Sequence, residues 1–436
     1  MKSKPRKIKV VTLGCPKNVV DSEVLLKQLE TNRVKLIPED SNEQADTVII
    51  NTCGFILDAK EESIDTILHY ARERERGTIR DLYVIGCLSE RYKDELRSGI
   101  PEVDRFFGVN DLEKIIINLG LDYRKELVGE RHLTTPGHYA YLKISEGCDR
   151  SCAFCAIPLI RGNHISRSIE DVVREAERLA DKGVKEIILI AQDLSWYGID
   201  LYKKQKLNNL LAALIPLNGI EWIRLHYAYP ARFPLDILPL IRENEKICSY
   251  LDIPIQHIND TVLQRMRRNT TKNEILNLLS AIRKEVPGIA LRTTLLTGHP
   301  GETDHAFDEL EKFVADARFD RLGVFTYSHE EGTYGYQHYR DEVPEEIKLS
   351  RKNRLMEIQQ HISRELNSSK TGELIKVMID RREGNYYIGR TEHDSPEIDN
   401  EVLIEKDDRE LQTGAFYRVR ITEAGEFDLY GKIEEK

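Results

Sequence analysis

The 436-residue chain has no apolar run near the roughly 18 residues that a membrane helix requires. Its N-terminus, MKSKPRKIKVVTLG, is basic but passes directly into a strand-like segment, with neither an apolar region nor a cleavage site, so no secretory leader is expected. No internal repeat or low-complexity tract interrupts the chain. Nor is there an excess of positive charge. The 64 Lys and Arg against 74 Asp and Glu leave a net −10, which speaks against a general nucleic-acid binder but allows a local basic groove. A cytoplasmic protein without membrane contact is therefore expected. Thiols stay reduced there, and cysteines serve as ligands or nucleophiles more often than as disulfides.

Cysteine itself is scarce, and its placement is the most informative feature. Six of the seven cysteines form two sets of three. Cys148, Cys152 and Cys155 are packed into GCDRSCAFCAIP, whereas Cys15, Cys53 and Cys87 are spread over LGCPKN, NTCGF and IGCLSE. Neither set has the fourth cysteine of a ferredoxin-type site. Three thiolates hold three irons of a four-iron cluster and leave the fourth open for a substrate, which points to catalysis more than to electron carriage. A structural zinc site would need four ligands, with His164 the nearest addition, and would explain neither the second triplet nor the surrounding strand pattern.

The first ~120 residues alternate apolar runs with helix-like stretches, as in a parallel α/β domain. IKVVTLG, DTVIINTC and DLYVIGC read as strands, with Cys15, Cys53 and Cys87 each just past a C-terminal end. Those ends share one edge of an open parallel sheet, so the three cysteines can meet there. Three buried packing thiols are the alternative, but packing thiols would lie along the strands and not repeatedly after them. From Tyr139, six β/α units follow (YAYLKIS, VKEIILIAQD, EWIRLHYAYP, SYLDIPIQH, IALRTTLLTG and RLGVFTYS), as in an open or partial barrel whose site lies at the strand ends. Cys248 precedes its strand and reads as a packing residue. Residues 345–368 read as one charged helix, and the remainder as a small antiparallel β-barrel of about five strands. The fold class is thus α/β, with domains expected at 6–125, 134–367 and 368–436.

CxxxCxxC with an aromatic, Phe154, before the last cysteine and at the end of the first barrel strand resembles the radical S-adenosylmethionine superfamily. The resemblance implies that Cys148, Cys152 and Cys155 ligate a 4Fe–4S cluster, that S-adenosylmethionine chelates its open iron, and that Phe154 lies near the adenine. The three-domain order, ending in a TRAM-like barrel, resembles the methylthiotransferases over essentially the whole chain. It implies a second 4Fe–4S cluster on Cys15, Cys53 and Cys87 that supplies or carries the inserted sulfur. An electron donor such as flavodoxin or ferredoxin and a sulfur donor are implied partners.

LGCPKNVVDSE, LIAQDLSWYGIDLY, YSHEEGT and GRTEHDSPEIDNEV are similar to the branch that modifies the β-carbon of an aspartate in small-subunit ribosomal protein twelve. Relatives that modify tRNA adenosine usually carry a basic, proline-containing segment where this chain has Glu330 and Glu331. Charge agrees independently. Residues 371–436 hold 17 Asp and Glu against 10 Lys and Arg, a net −7 that would repel RNA and attract a basic ribosomal protein, so direct tRNA binding is not expected. The alternatives are a tRNA methylthiotransferase of the same fold and a non-catalytic iron–sulfur protein. Among polar residues expected at barrel strand ends, Gln192, Asp193, Gln256 and Arg292 are candidates for the cofactor, Arg292 by pairing with a carboxylate. Glu330 and Glu331 are candidates for the substrate. Arg161, after the cysteine loop, is a candidate to orient that loop or touch the cofactor.

Overall fold

A computed structural model describes residues 5–127 and 129–434. Residues 1–4 of the basic N-terminus and residues 435–436 of the acidic C-terminal segment lie outside them. The chain forms two compact units. The first is built from the chain up to Thr134 with Glu146–Arg150 and Ala156–Ile165, and the second from Thr135–Ser145, Ser151–Cys155 and the remainder.

The first unit carries five parallel strands, β1 (Lys7–Thr12), β2 (Lys35–Ile37), β3 (Thr47–Thr52), β4 (Asp81–Gly86) and β5 (Arg105–Phe106), in the order β2-β1-β3-β4-β5. Every residue of β3 is buried, as a central parallel strand covered on both faces requires. One face of the sheet packs Val48, Ile50, Leu82 and Val84 against Ile67 and Ala71 of the helix Leu57–Glu75. The other packs Ile8, Val10 and Ile49 against Leu25 and Leu29 of the helix Pro16–Thr31. The chain reverses its direction of travel across the sheet between β1 and β3. Such a switch point opens a crevice beyond the C-terminal strand ends. The edge strands β2 and β5 escaped the sequence reading because three and two residues carry no periodicity.

In the second unit, β6 (Tyr139–Lys143), β9 (Glu186–Ile190), β10 (Trp222–Leu225), β11 (Ile247–Asp252), β12 (Ala290–Thr297) and β13 (Arg321–Thr326) form a parallel sheet in chain order, with β6 and β13 as its two edges. This is the expected open barrel of six β/α units. Two short strands, β7 (Ser145–Glu146) and β8 (Ile165–Ser166), bracket the cysteine loop in sequence. Caps read from local chemistry fix the intervening helices: Ser168 accepts from Asp171 N–H, and Thr271 forms a capping box with Glu274. Cys248 is the second residue of β11, not a residue before it, and is buried among Trp222, Tyr250, Ala290 and Met378 as a packing residue.

The helix Glu345–Ser369 packs along β13 and leads to a closed barrel of β14 (Leu374–Glu383), β15 (Tyr386–Arg390), β16 (Val402–Glu405), β17 (Phe416–Ala424) and β18 (Leu429–Ile433). The barrel is not wholly antiparallel: β16 and β18 run parallel. Five strands cannot alternate direction around a closed ring, so one neighbouring pair must be parallel. The segment between β15 and β16 turns back onto the six-stranded sheet. Asp394 pairs with Arg321, Asp399 with Arg292 and the Tyr250 hydroxyl, and Glu397 accepts from the hydroxyls of Tyr139 and Tyr141. No helix among the described residues is long and apolar enough to cross a membrane.

Candidate functional site

In the first unit, Cys15 precedes the helix Pro16–Thr31 as its N-terminal cap, Cys53 follows β3, and Cys87 opens the helix Cys87–Arg91 directly after β4. Cys15 and Cys53 therefore flank the β1/β3 switch point. Two glycines let these segments close on one another. At Gly14 (φ +89°) a Cβ would stand 2.6 Å from Cys53 Cβ and 2.9 Å from its sulfur. At Gly54 a Cβ would lie 2.7 Å from the Leu88 backbone. Only glycine tolerates these approaches without a shift of the neighbouring chain.

Asn18 binds the strand ends together. Its amide donates to Leu13 O (2.8 Å) and Thr52 O (3.1 Å), and its Oδ1 lies 3.8 Å from Cys87 Sγ. Arg161, in the helix Ile157–Arg161, completes the group. It donates to Asn18 Oδ1 at 2.7 Å, stands 3.5 Å from Cys87 Sγ, and pairs with Asp21 and Glu146 at 3.0 Å each. Burial pushes the Cys53 thiol up and the Cys87 thiol to about 12, the latter opposed by Arg161. Asn18 stands in the LGCPKN run but received no role from sequence. Its signal was an Asn one turn after the cysteine at a helix start.

The tight cysteine loop divides between the units: Cys148 goes with the first, Cys152 and Cys155 with the second. The Cys148 amide donates to Gly162 O, and its sulfur accepts from the Arg150 amide at 3.4 Å. In the second unit, Ala153 is pinned through its amide to Met266 O and through its carbonyl to the Gly335 amide. Phe154 packs on Val262, Met266, Leu296, Ala306 and Tyr327 while staying partly exposed. Arg268 lies against Cys152, 3.5 Å from its sulfur, with its guanidinium 4.1 Å from the Tyr229 ring centroid. Tyr229 lies in HYAYP, one of the strand-end segments, but received no role from sequence, and nothing there hinted at Arg268.

All seven cysteines are free thiols. Arg268 tests whether the first triplet fits an iron–sulfur cluster. This arginine is 4% exposed, its Nε is buried with no hydrogen-bond partner, and the group nearest to balancing its charge is the Cys152 sulfur. A cluster ligand is a thiolate, so the donor set fits. The soft, all-sulfur second triplet is of the donor type such a cluster takes, although among the described residues no three His, Cys, Asp or Glu side chains stand grouped as they would around a bound metal ion.

The candidates at the strand ends divide. Gln256 follows β11 with a left-handed backbone (φ +75°) and is joined to β12 by a bridge to Leu295. Asp193 is buried and accepts from the Ser195 amide and hydroxyl and the Tyr229 amide, so it shapes the turn. Gln192, just before it, is half-buried at the end of β9. Arg292 is not at a strand end: it is the third residue of β12 and pairs with Asp252 and Asp399, so its carboxylate partners are the protein's own. Glu330, a candidate for the substrate, is buried and accepts from the Ser328 hydroxyl, because the turn before the helix Tyr334–His338 folds it inward. Glu331 is exposed.

The chain matches family models described as the radical SAM superfamily over residues 142–314, uncharacterized protein family UPF0004 over 7–108 and the TRAM domain over 371–433. Proteins from Bacteroides thetaiotaomicron (54% identical, 99% of each chain) and Cytophaga hutchinsonii (54% identical, 98% of each chain) carry the name ribosomal protein uS12 methylthiotransferase RimO. The fold resembles that of the radical S-adenosylmethionine methyltransferase TsrM from Kitasatospora setae (TM-score 0.54, 15% identity, 74% of this chain and 75% of that one). It also resembles the cobalamin-dependent radical enzyme OxsB (TM-score 0.51, 14% identity, 81% and 56%).

Proposed function

The chain belongs to the family of ribosomal protein uS12 methylthiotransferases, and from that premise we propose that it replaces a hydrogen on the β-carbon of an aspartate of uS12, the small-subunit ribosomal protein twelve, by a methylthio group. Cys148, Cys152 and Cys155 would hold one 4Fe–4S cluster, and Cys15, Cys53 and Cys87 would hold a second. When bound, the first cluster with S-adenosylmethionine supplies the radical that removes hydrogen from carbon, and the second supplies the sulfur that takes its place.

The observation that carries the two-cluster reading is the closing of the Gly14–Cys15 turn onto Cys53, with Asn18 and Arg161 reaching Cys87. These residues draw together the segments that carry Cys15, Cys53 and Cys87, and Cys53 and Cys87 are buried. Phe154 offers an apolar face to the adenine of S-adenosylmethionine, and Gln192 and Gln256 offer amides to its polar groups. Asp193 serves by position, holding the 194–196 turn and Tyr229. Glu331 presents a carboxylate to a basic protein. A flavodoxin or ferredoxin delivers electrons, and a separate donor delivers sulfur.

The test is anaerobic. Reconstituted protein receives reductant, S-adenosylmethionine and sulfide, with uS12 and tRNA offered in parallel, and both are read by mass spectrometry. A methylthio group on the uS12 aspartate is expected. A product on tRNA alone would overturn the substrate assignment.

A further inference from the structure

A guanidinium taken out of water is costly unless an anion balances it, and an unbalanced one destabilises by several kcal/mol. Most buried arginines here have a carboxylate: Arg224 has Glu186, Arg321 has Asp394, Arg351 has Glu302, and Arg161 has Asp21 and Glu146. Arg268 differs. Among the described residues no Asp or Glu forms an ion pair with it; the Asp193 carboxylate adds to the field around it, but less than the Cys152 sulfur does. Its Nη2 donates to Pro254 O, its Nε has no hydrogen-bond partner, and its Nη1 points at the Cys152 sulfur at 3.5 Å. Tyr229 holds it there: the ring lies under the guanidinium, and the hydroxyl donates to Arg268 O at 2.5 Å and sits 3.8 Å from the same sulfur.

We infer that Arg268 is a positioning residue for the first cysteine triplet, a buried fixed charge balanced by the Cys152 thiolate that sets the reduction potential of the cluster bound there. The inference rests on the proposed assignment of Cys148, Cys152 and Cys155 to a 4Fe–4S cluster. Hydrogen bonds to the sulfurs and local charge are among the terms that set such potentials. One-electron reduction adds a negative charge, which a cation held against a ligand sulfur in a dry site stabilises. Arg268 thus favours the reduced cluster, the form that must exist before S-adenosylmethionine can be cleaved.

The test uses full-length protein carrying C15A, C53A and C87A, so that one cluster contributes the signal. Iron content, the electron paramagnetic resonance spectrum after dithionite reduction and the midpoint potential are measured in this background, then with R268M and with R268K. R268M is expected to lower the potential by at least a tenfold change in the reduction equilibrium, about 59 mV for one electron. R268K, which keeps the charge, is expected to recover most of that shift. Equal potentials in all three proteins would overturn the inference, as would an R268K shift as large as that of R268M. If R268M gives no folded protein, Tyr229→Leu removes the ring that holds the guanidinium and is expected to lower the potential too; no shift would overturn the inference. Absence of any cluster signal before Arg268 is changed would instead sink the underlying cluster assignment.

Discussion

The Arg161 guanidinium stands 3.5 Å from the sulfur of Cys87, although 74 residues separate them in sequence. Arg161 follows the tight cysteine motif, and Cys87 closes the dispersed one. A residue that sequence reading left between orienting its own loop and touching a cofactor is therefore part of the other triplet's surroundings. Its side chain is 2% exposed and balances Asp21 and Glu146 as well as Cys87.

Replacing Arg161 by Met leaves those two carboxylates without their buried partner. A loss of about 3–5 kcal/mol in urea unfolding is expected, together with loss of iron from the dispersed triplet. Arg161→Lys restores the charge but not the forked geometry, so partial recovery is expected. Full stability and full iron in R161M would contradict the role.

Gly14→Ala places a Cβ into Cys53 on a left-handed backbone. A cost of about 1–3 kcal/mol is expected. Because the displaced group is a proposed cluster ligand, iron should fall by roughly half per chain, with the first triplet unaffected. Iron analysis and the spectrum of the remaining cluster read this directly.

Asp394 carries a pH prediction. Burial alone would raise its carboxyl, but Arg321 and Lys370, with the Thr391 hydroxyl, bring it down to about 2. The sign follows from linkage. The folded value lies below the unfolded one, so the stabilisation is complete above about pH 4 and is lost as pH falls towards about 2. Asp394→Asn should destabilise by about 3–5 kcal/mol near neutrality. The gap between variant and parent should narrow through that acid window, as followed by urea unfolding. A constant gap would show that Asp394 does not titrate there.

Glu331 is the exposed member of the acidic pair, and Glu330 is the inward one. Glu331→Lys should raise KM for uS12 severalfold at low salt with kcat little changed, because peripheral charges act mainly on encounter. An unchanged KM would remove Glu331 from substrate docking.

The strand pattern was legible because buried parallel strands are continuous apolar runs, and because each cysteine of the dispersed triplet followed one. Interior partners were not. RMRRNT contains Arg265, Arg267 and Arg268 with nothing to distinguish them, yet the first two stack on Tyr339 and Tyr334 while the third is buried against Cys152. The acids of HDSPEID were counted toward the net charge of the last segment, whereas Asp394, Glu397 and Asp399 face arginines and tyrosines of the sheet. The net −7 counted for residues 371–436 therefore overstates the charge offered to a partner, since Arg321 and Arg292 offset Asp394 and Asp399 from outside that segment. Local sequence reports which residues are charged, and only the tertiary fold reports which charges meet.

The most direct measurement is mass spectrometry of uS12 after anaerobic turnover by the intact enzyme, beside variants lacking either cysteine triplet. A methylthio group on one uS12 aspartate with the intact enzyme, and none with either variant, is expected. Full methylthiolation without Cys15, Cys53 and Cys87 would contradict the two-site chemistry at its root.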